Sequence, residues 1–466
     1  MKLSFIYPSF TAVENQPNIK AIADNYGVFP PLSLAYVAGI ADAIGTHEIQ
    51  FIDGNALKLS PQEIIERLDS FSADIVFMTI TTYMFHENLS WIRHIKKNTK
   101  AKVIVGGQHL SMYPHESLAH EEIDIALIGE AEDTLPELLA ALENHTDLHA
   151  ISGIGFRDKE KIVLTAPRIP RKELNGLPYP ARKYLPNSLY TSFISQKKNF
   201  SGIMTSRGCP YQCGFCEQKS GNFRGRNAQD VMKELTECYH LYDIREFEVF
   251  DPLFTTNKQR VIEICKEIID SGLKFDWSIR SRVDRIDEEL CQWLSKANCK
   301  RIYFGIESGN EQILKNLNKN TTLVQIRNAV HLTKKYNIDR FGYFMIGSPG
   351  ETQETIKDTI KLATSLPLTY AQFSRFSILP GTDIYESWKK EFGYDYWREF
   401  VKDESKRKVM PLYNCTLSEE EIEKWIKKAY YQFYFRPQFM ARYVARMKSF
   451  DEFKRTVKAA VDMLVS

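Results

Sequence analysis

Nearly half of the 466 residues pass before the first thiol, at Cys209, and the chain holds eight cysteines in all. A disulfide-stapled scaffold is therefore excluded. Long apolar runs are absent too: no stretch reaches the roughly 18 residues that would suggest a membrane span. The start MKLSFIYPSF lacks the basic residues, extended apolar segment and small-residue cleavage site of a secretory leader, and a cytoplasmic location is the expectation. Charge of one sign is missing as well. Sixty-one Lys and Arg face 59 Asp and Glu, leaving a net +2 with no basic stripe for nucleic acid. A dinucleotide binder would carry G-x-G-x-x-G after its first strand, where YPSFTA stands. A phosphate-accepting receiver would need carboxylates near Tyr7-Pro8 and between Thr79 and Tyr83, and has none.

What is present is a long alternation. A chain of this length, 43% hydrophobic, fills more than one core. From residue 1 to about 150, the runs LSFIYP, EIQFID, DIVFMT, KVIVGG and DIALIG alternate with helical patterns. Apolar strands interleaved with helices predict a parallel sheet covered on both faces. Five of them predict a flavodoxin-like, Rossmann-type doubly wound domain, with ligands at the carboxyl ends of the strands. Residues 151–190 combine a hairpin-like stretch with a proline-rich segment and are expected to form a linker. A second series follows over residues 191–385: GIMTSRG, EFEVFD, FDWSIRS, RIYFGIES, DRFGYFMIG and AQFSRFSIL. Six β/α units predict a partial TIM-like (β/α)6 barrel whose chemistry lies at the same end of its strands. Residues 386–466 are expected to form a helical C-terminal region. The fold class is α/β.

SRGCPYQCGFCEQKSG, just after the first strand of the second series, places Cys209, Cys213 and Cys216 in a C-x3-C-x2-C pattern. Gly208, Pro210 and Gly214 allow the backbone to wrap a bound group. Four thiolates normally hold a cubane iron–sulfur cluster; three leave one iron open, and an open position marks a site that binds substrate or cofactor. The alternative is a structural zinc completed by Cys238 or His240. On the helical pattern that carries them, residues two apart point to different sides, and the two cannot both reach one ion. The other five cysteines suit small buried hydrophobes.

The trio, with Phe215 before its last cysteine, resembles the radical S-adenosylmethionine (SAM) enzymes. So do WSIRSRVDRID, YFGIESGNEQIL, GYFMIGSPGET and FSILPGTDIY, which follow in order. The resemblance implies a [4Fe-4S] cluster on Cys209, Cys213 and Cys216 as metal ligands, whose fourth iron binds SAM. Reductive cleavage would then give a 5′-deoxyadenosyl radical. Ser278 and Arg282, at or just beyond the end of the third barrel strand, would bind ribose and carboxylate, and Glu307 the ribose or amino group. A mutual Glu307–Arg282 ion pair is the plain alternative. Gly347 and Gly350 would admit the adenine or simply form a turn.

In the first domain, PPLSLAYVAGIADAIGTHEIQFIDGNA, TITTY, VIVGGQH and LIGEAEDT resemble the cobalamin-binding domain that precedes the radical domain in one branch of that superfamily. Thr79, Thr81 and Thr82 would bond corrin amides, Gly106 and Gly107 would let the flat macrocycle approach, and Glu130 would stand at the same rim. The threonines also suit ordinary strand composition. No D-x-H-x-x-G is present, since Gly-Asn follows Asp53, and no histidine ligand to cobalt is expected. His109 is the histidine nearest the expected pocket.

Two such domains together imply a cobalamin-dependent radical methyltransferase acting on an unactivated carbon by way of methylcobalamin. Relatives sharing both domains perform oxidative cyclisation, ring contraction or C–C coupling without methyl transfer, and a non-catalytic cobalamin sensor is the alternative of another class. The expected partners are a small-molecule substrate, hydrophobic in one reading, and an electron donor such as flavodoxin or ferredoxin. The tail from Lys424 to Ser466, with ten basic and three acidic residues, is expected to be a helical lid; contact with a membrane face is the lesser alternative.

Overall fold

The computed structural model describes residues 1–9, 27–192, 194, 195, 197, 199–219, 221–406, 412–437, 439 and 440. All five strand runs of the first series form strands: β1 Lys2–Tyr7, β2 Glu48–Asp53, β3 Ile75–Thr79, β4 Lys102–Gly106 and β5 Ile125–Leu127. They pair in parallel in the order β2-β1-β3-β4-β5, the flavodoxin-like arrangement. Helices Leu32–Ile44, Pro61–Phe71, Phe85–Asn98 and Thr134–Asn144 cover both faces, which explains why strands such as Ile75–Met78 are apolar at every position.

The segment expected to be a linker is more than a connector. Its hairpin, β6 Ile154–Asp158 and β7 Lys161–Leu164, adds antiparallel to β5 and extends the first sheet to seven strands. Its proline-rich half is nailed down at Arg182, 1% exposed, which pairs with the fully buried Glu234 at 2.7 Å and donates to the Gly202 carbonyl at 2.8 Å. A buried pair of this kind holds only when both charges are compensated; Arg226, also paired with Glu234, supplies a second cation.

The second series forms β8 Phe200–Ile203, β9 Glu246–Val249, β10 Asp276–Ser281, β11 Cys299–Glu307, β12 Asp339–Ile346 and β13 Tyr370–Arg375, parallel and in sequential order. Six strands leave the barrel open, with β13 as an edge. The helix Glu419–Tyr434 covers that edge: the Tyr434 hydroxyl donates to the Ala371 carbonyl at 2.7 Å, and Tyr430 accepts from the Phe373 N–H at 3.2 Å. Exposed edge groups invite pairing with other chains, and these tyrosines satisfy them from one side. This part of the expected lid is seen packed on the barrel; residues 441–466 of the tail lie outside the described residues. No helix among the described residues is long and apolar enough to cross a membrane.

Candidate functional site

The cysteine loop leaves β8 through Gly208, whose φ of 79° is the left-handed region that glycine adopts freely. Backbone bonds then fasten it: Gly214 N to Leu317 O at 2.9 Å, Ile384 N to Gly214 O at 3.0 Å, and Gly221 N to Cys209 O at 3.2 Å. Cys213 is buried and Cys209 and Cys216 are half-buried, all three as free thiols. Burial pushes the Cys209 and Cys216 thiols up, the neighbouring Cys213 adds to this, and the Lys319 charge pulls both back. The three thus sit within electrostatic reach of one another. Among the described residues no three His, Cys, Asp or Glu side chains are gathered for a single ion. The zinc alternative loses its fourth ligand as well, because Cys238 is fully buried in the core behind the sheet.

Two cations face the trio. Arg282 Nη1 lies 3.4 Å from Cys213 Sγ. The rest of its guanidinium is forked on Asp284 at 2.9 and 3.1 Å, and also donates to the Lys319 carbonyl at 2.7 Å. These bonds tie the guanidinium to Asp284, to the Lys319 backbone and to the cysteine loop. Lys319, missed in the sequence, donates to Glu307 at 2.8 Å with both side chains under a tenth exposed. Glu307 pairs with this lysine and not with Arg282, and it sits at φ 68°, a strained backbone for a non-glycine residue. Asn318 and Asn320 flank Lys319, both at positive φ; asparagines tolerate that conformation, and the NKN turn was the signal available.

In the chain's own packing Ser278 lies within a strand and Gly347 in a turn. Ser278 is the third of six residues in β10, pairs with Arg301 across the sheet and lies 3.5 Å from the Phe247 carbonyl; it is inside the barrel, well below the strand ends. Gly347, at φ 92°, gives its N–H to the Glu351 carboxylate, and a side chain there would meet Ile422 at 2.8 Å. It makes a turn against the C-terminal helix.

On the first domain, Thr79 and Gly106 are half-buried at the ends of β3 and β4, while Thr81, Gly107 and Gly129 are exposed. No atom lies within 4 Å of where a Gly129 Cβ would be. Small residues thus make a shelf open to a flat group. Thr82 does not join it: its hydroxyl is buried against His109 Nδ1 at 3.1 Å. His109 Nε2 meets Ser117 at 3.1 Å, and burial, with His86 adding, pushes the imidazole down to about 3. The neutral ring belongs to the fold. Glu130 ion-pairs with Arg207 at 3.1 Å and with Arg224, both from the barrel. Burial works against ionisation there, but the Arg224 hydrogen bond and the Arg207 charge hold its carboxyl below the usual range. Glu130 thus ties the rim of the first domain to the barrel. Beside the shelf, Gln108 donates to the Glu217 carbonyl at 3.2 Å and accepts from Gln218 at 2.9 Å. The shelf and the cysteine loop touch.

Residues 203–363 match the Radical SAM superfamily and residues 20–139 match the B12 binding domain. Both halves also align with an uncharacterized methyltransferase, PH0819, of Pyrococcus horikoshii, 32% identical over 452 residues, which spans 95% of this chain and 94% of that protein. The chain belongs to the cobalamin-binding radical SAM enzymes. The family uses a [4Fe-4S] cluster, SAM and cobalamin, which the cysteine trio and the glycine shelf fit. The anaerobic magnesium-protoporphyrin IX monomethyl ester cyclase of Rubrivivax gelatinosus is 27% identical over 396 residues, 83% of this chain and 70% of its own. In fold, the chain is similar to the radical SAM methyltransferase TsrM of Kitasatospora setae, solved with cobalamin and a [4Fe-4S] cluster. That match has a TM-score of 0.67 at 19% identity and covers 83% of this chain and 75% of that one.

Proposed function

We propose that this enzyme transfers a methyl group to an unactivated carbon of a small molecule at the seam between its two domains. The observation that carries the reading is the contact of Gln108 with Glu217 and Gln218, which brings the shelf of the first domain against the loop of Cys209, Cys213 and Cys216. When bound, the cluster and SAM supply a hydrogen-abstracting radical and the cobalamin supplies the methyl group. The protein's part is positioning and exclusion of water. Cys209, Cys213 and Cys216 hold the metal group. Arg282 fixes Cys213 and the Lys319 backbone, and the buried Lys319–Glu307 pair offers an ammonium and a carboxylate beside the trio to the amino-acid end of SAM. The helix Glu419–Tyr434 seals the open edge of the barrel. An external one-electron donor of the flavodoxin or ferredoxin class completes the system.

The test uses anoxically reconstituted enzyme with extract from a deletion strain as the substrate source. Label from methyl-labelled SAM is expected in one product, heavier than its precursor by a methylene. Failure to incorporate label while 5′-deoxyadenosine accumulates would favour ring closure without methyl transfer, a second reading supported by the likeness to the porphyrin-ester cyclase.

A further inference from the structure

The inward face of the last three barrel strands carries four aromatic rings, with Gln372 and Ser374 beside them. Alternation along a strand sends successive side chains to opposite faces. Ile302, Phe304, Phe344, Ile346 and Phe373 point outward into the helix-covered core, and Tyr303, Phe341, Tyr343 and Tyr370 therefore face the lumen. Phe341 is central, with ring centroids 5.1 Å from Tyr303, 5.0 Å from Tyr343 and 6.1 Å from Tyr370. Tyr303 and Tyr343 lie 5.9 Å apart with planes only 13° from parallel. Phe341, Tyr343 and Tyr370 are half-buried.

The lumen has a floor and a mouth. Below, Arg301 donates to the Ile194 carbonyl at 3.0 Å, and Glu246 accepts from Ser195 at 2.7 Å. Across from the aromatic wall, Arg280 lies 4.4 Å from the Phe250 ring and pairs with Glu248 at 2.6 Å, and Glu248 also accepts from the Tyr303 hydroxyl at 3.0 Å. Above, a side chain at Gly305, the partner of Tyr343 in the sheet, would lie 2.4 Å from Glu307 Oε1 and 2.8 Å from Lys319 Nζ. The Glu307–Lys319 pair therefore stands directly over the wall, which leads up to the cofactor end.

We propose that the substrate is a planar, π-conjugated molecule that lies face-on against Phe341 and Tyr343. The proposal rests on the radical reading above and names the substrate class of that same site. Barrel interiors that serve only packing are filled by branched aliphatic side chains; a wall of half-exposed rings is suited to offset stacking. An acyl chain would be held by apolar burial alone, without the ring-to-ring stacking that these faces add. The charged pair beside the wall, Glu248 and Arg280, is bonded within the protein.

The test is anoxic equilibrium dialysis of the reconstituted holoenzyme with two probes, 2-naphthoate and its saturated analogue decahydro-2-naphthoate. They share carbon skeleton and charge and differ in planarity. The planar probe is expected to bind at least about fivefold tighter, as two stacking contacts would give. Phe341→Leu and Tyr343→Leu are expected to shrink the ratio below about twofold, and Tyr343→Phe to keep it. A wild-type ratio near one overturns the proposal, as does an unchanged ratio in leucine variants with normal circular dichroism and cluster absorbance. If those variants do not fold, the wild-type ratio decides alone. Formation of 5′-deoxyadenosine on reduction is scored separately: present with a ratio near one, it leaves the radical reading standing and removes the planar substrate; its absence removes both.

Discussion

Gln218 donates its side-chain amide to Gln108 Oε1 at 2.9 Å, across 110 residues of sequence. Gln218 stands two positions after Cys216 and Gln108 directly after Gly107, and the bond joins the rims of two domains that could have been held apart by the segment between them. A reaction needing a radical source and a methyl donor gains most from such contact, because both reagents then face one bound carbon.

Removing one thiol should empty the metal site. Cys213→Ala is expected to bring iron per chain to background, with loss of visible absorbance and of 5′-deoxyadenosine formation, while far-UV circular dichroism is kept. Cys238→Ala, behind the sheet, should retain full iron. Equal iron in the two variants would contradict the assignment.

The Lys319–Glu307 pair should be costly to break from either side. Removing one partner of a buried pair leaves an uncompensated charge and costs about 3–5 kcal/mol. Lys319→Met and Glu307→Gln are each expected to lower the urea midpoint of the iron-loaded protein. The double variant should recover part of the loss, the coupling that contact predicts. Strict additivity would show that the two do not interact.

The clamp at Glu130 should be sensitive to salt. Its carboxylate and both arginines are partly exposed, and Glu130→Ala is expected to cost about 1 kcal/mol. Hydrogen exchange over residues 206–225 should speed up in the variant. Molar salt should bring the wild type toward the same rate, since screening acts on exposed pairs.

Glu351 should make stability fall as pH rises. The side chain is fully buried, and burial pushes its carboxyl up to about 7, against the pull of the Gly347 and Ser348 N–H groups. Between the ordinary value of 4.5 and about 7 the folded chain keeps a proton that the unfolded chain releases. Stability from this group is therefore lost with rising pH across that window, by up to about 3 kcal/mol, and is level above it. Glu351→Gln cannot release that proton. The difference in urea midpoint between variant and wild type should shift in the variant's favour from pH 5 to pH 8, and a constant difference would refute the assignment.

Both strand series were legible because each strand is a short apolar run set between helical patterns, a local signal that survives without partners. The hairpin of β6 and β7 was legible as a hairpin but not as part of a sheet, since nothing in ISGIGFRDKEKIVLT names β5 as its neighbour. Arg282 and Glu130 carry a local signal for cofactor contact, because charged residues at strand ends usually serve a site. Their partners within the chain, Asp284 and Cys213 for one and Arg207 and Arg224 for the other, come from loops whose course the strand pattern does not fix.

The sequence alone determined the order of elements and the three thiols, because apolar periodicity and a C-x3-C-x2-C spacing are properties of neighbouring residues. Tertiary structure decided which cation meets Glu307, which rim meets the cysteine loop and which rings line the barrel. Each of those pairings spans many residues, and its energy exists only after the chain has closed the distance.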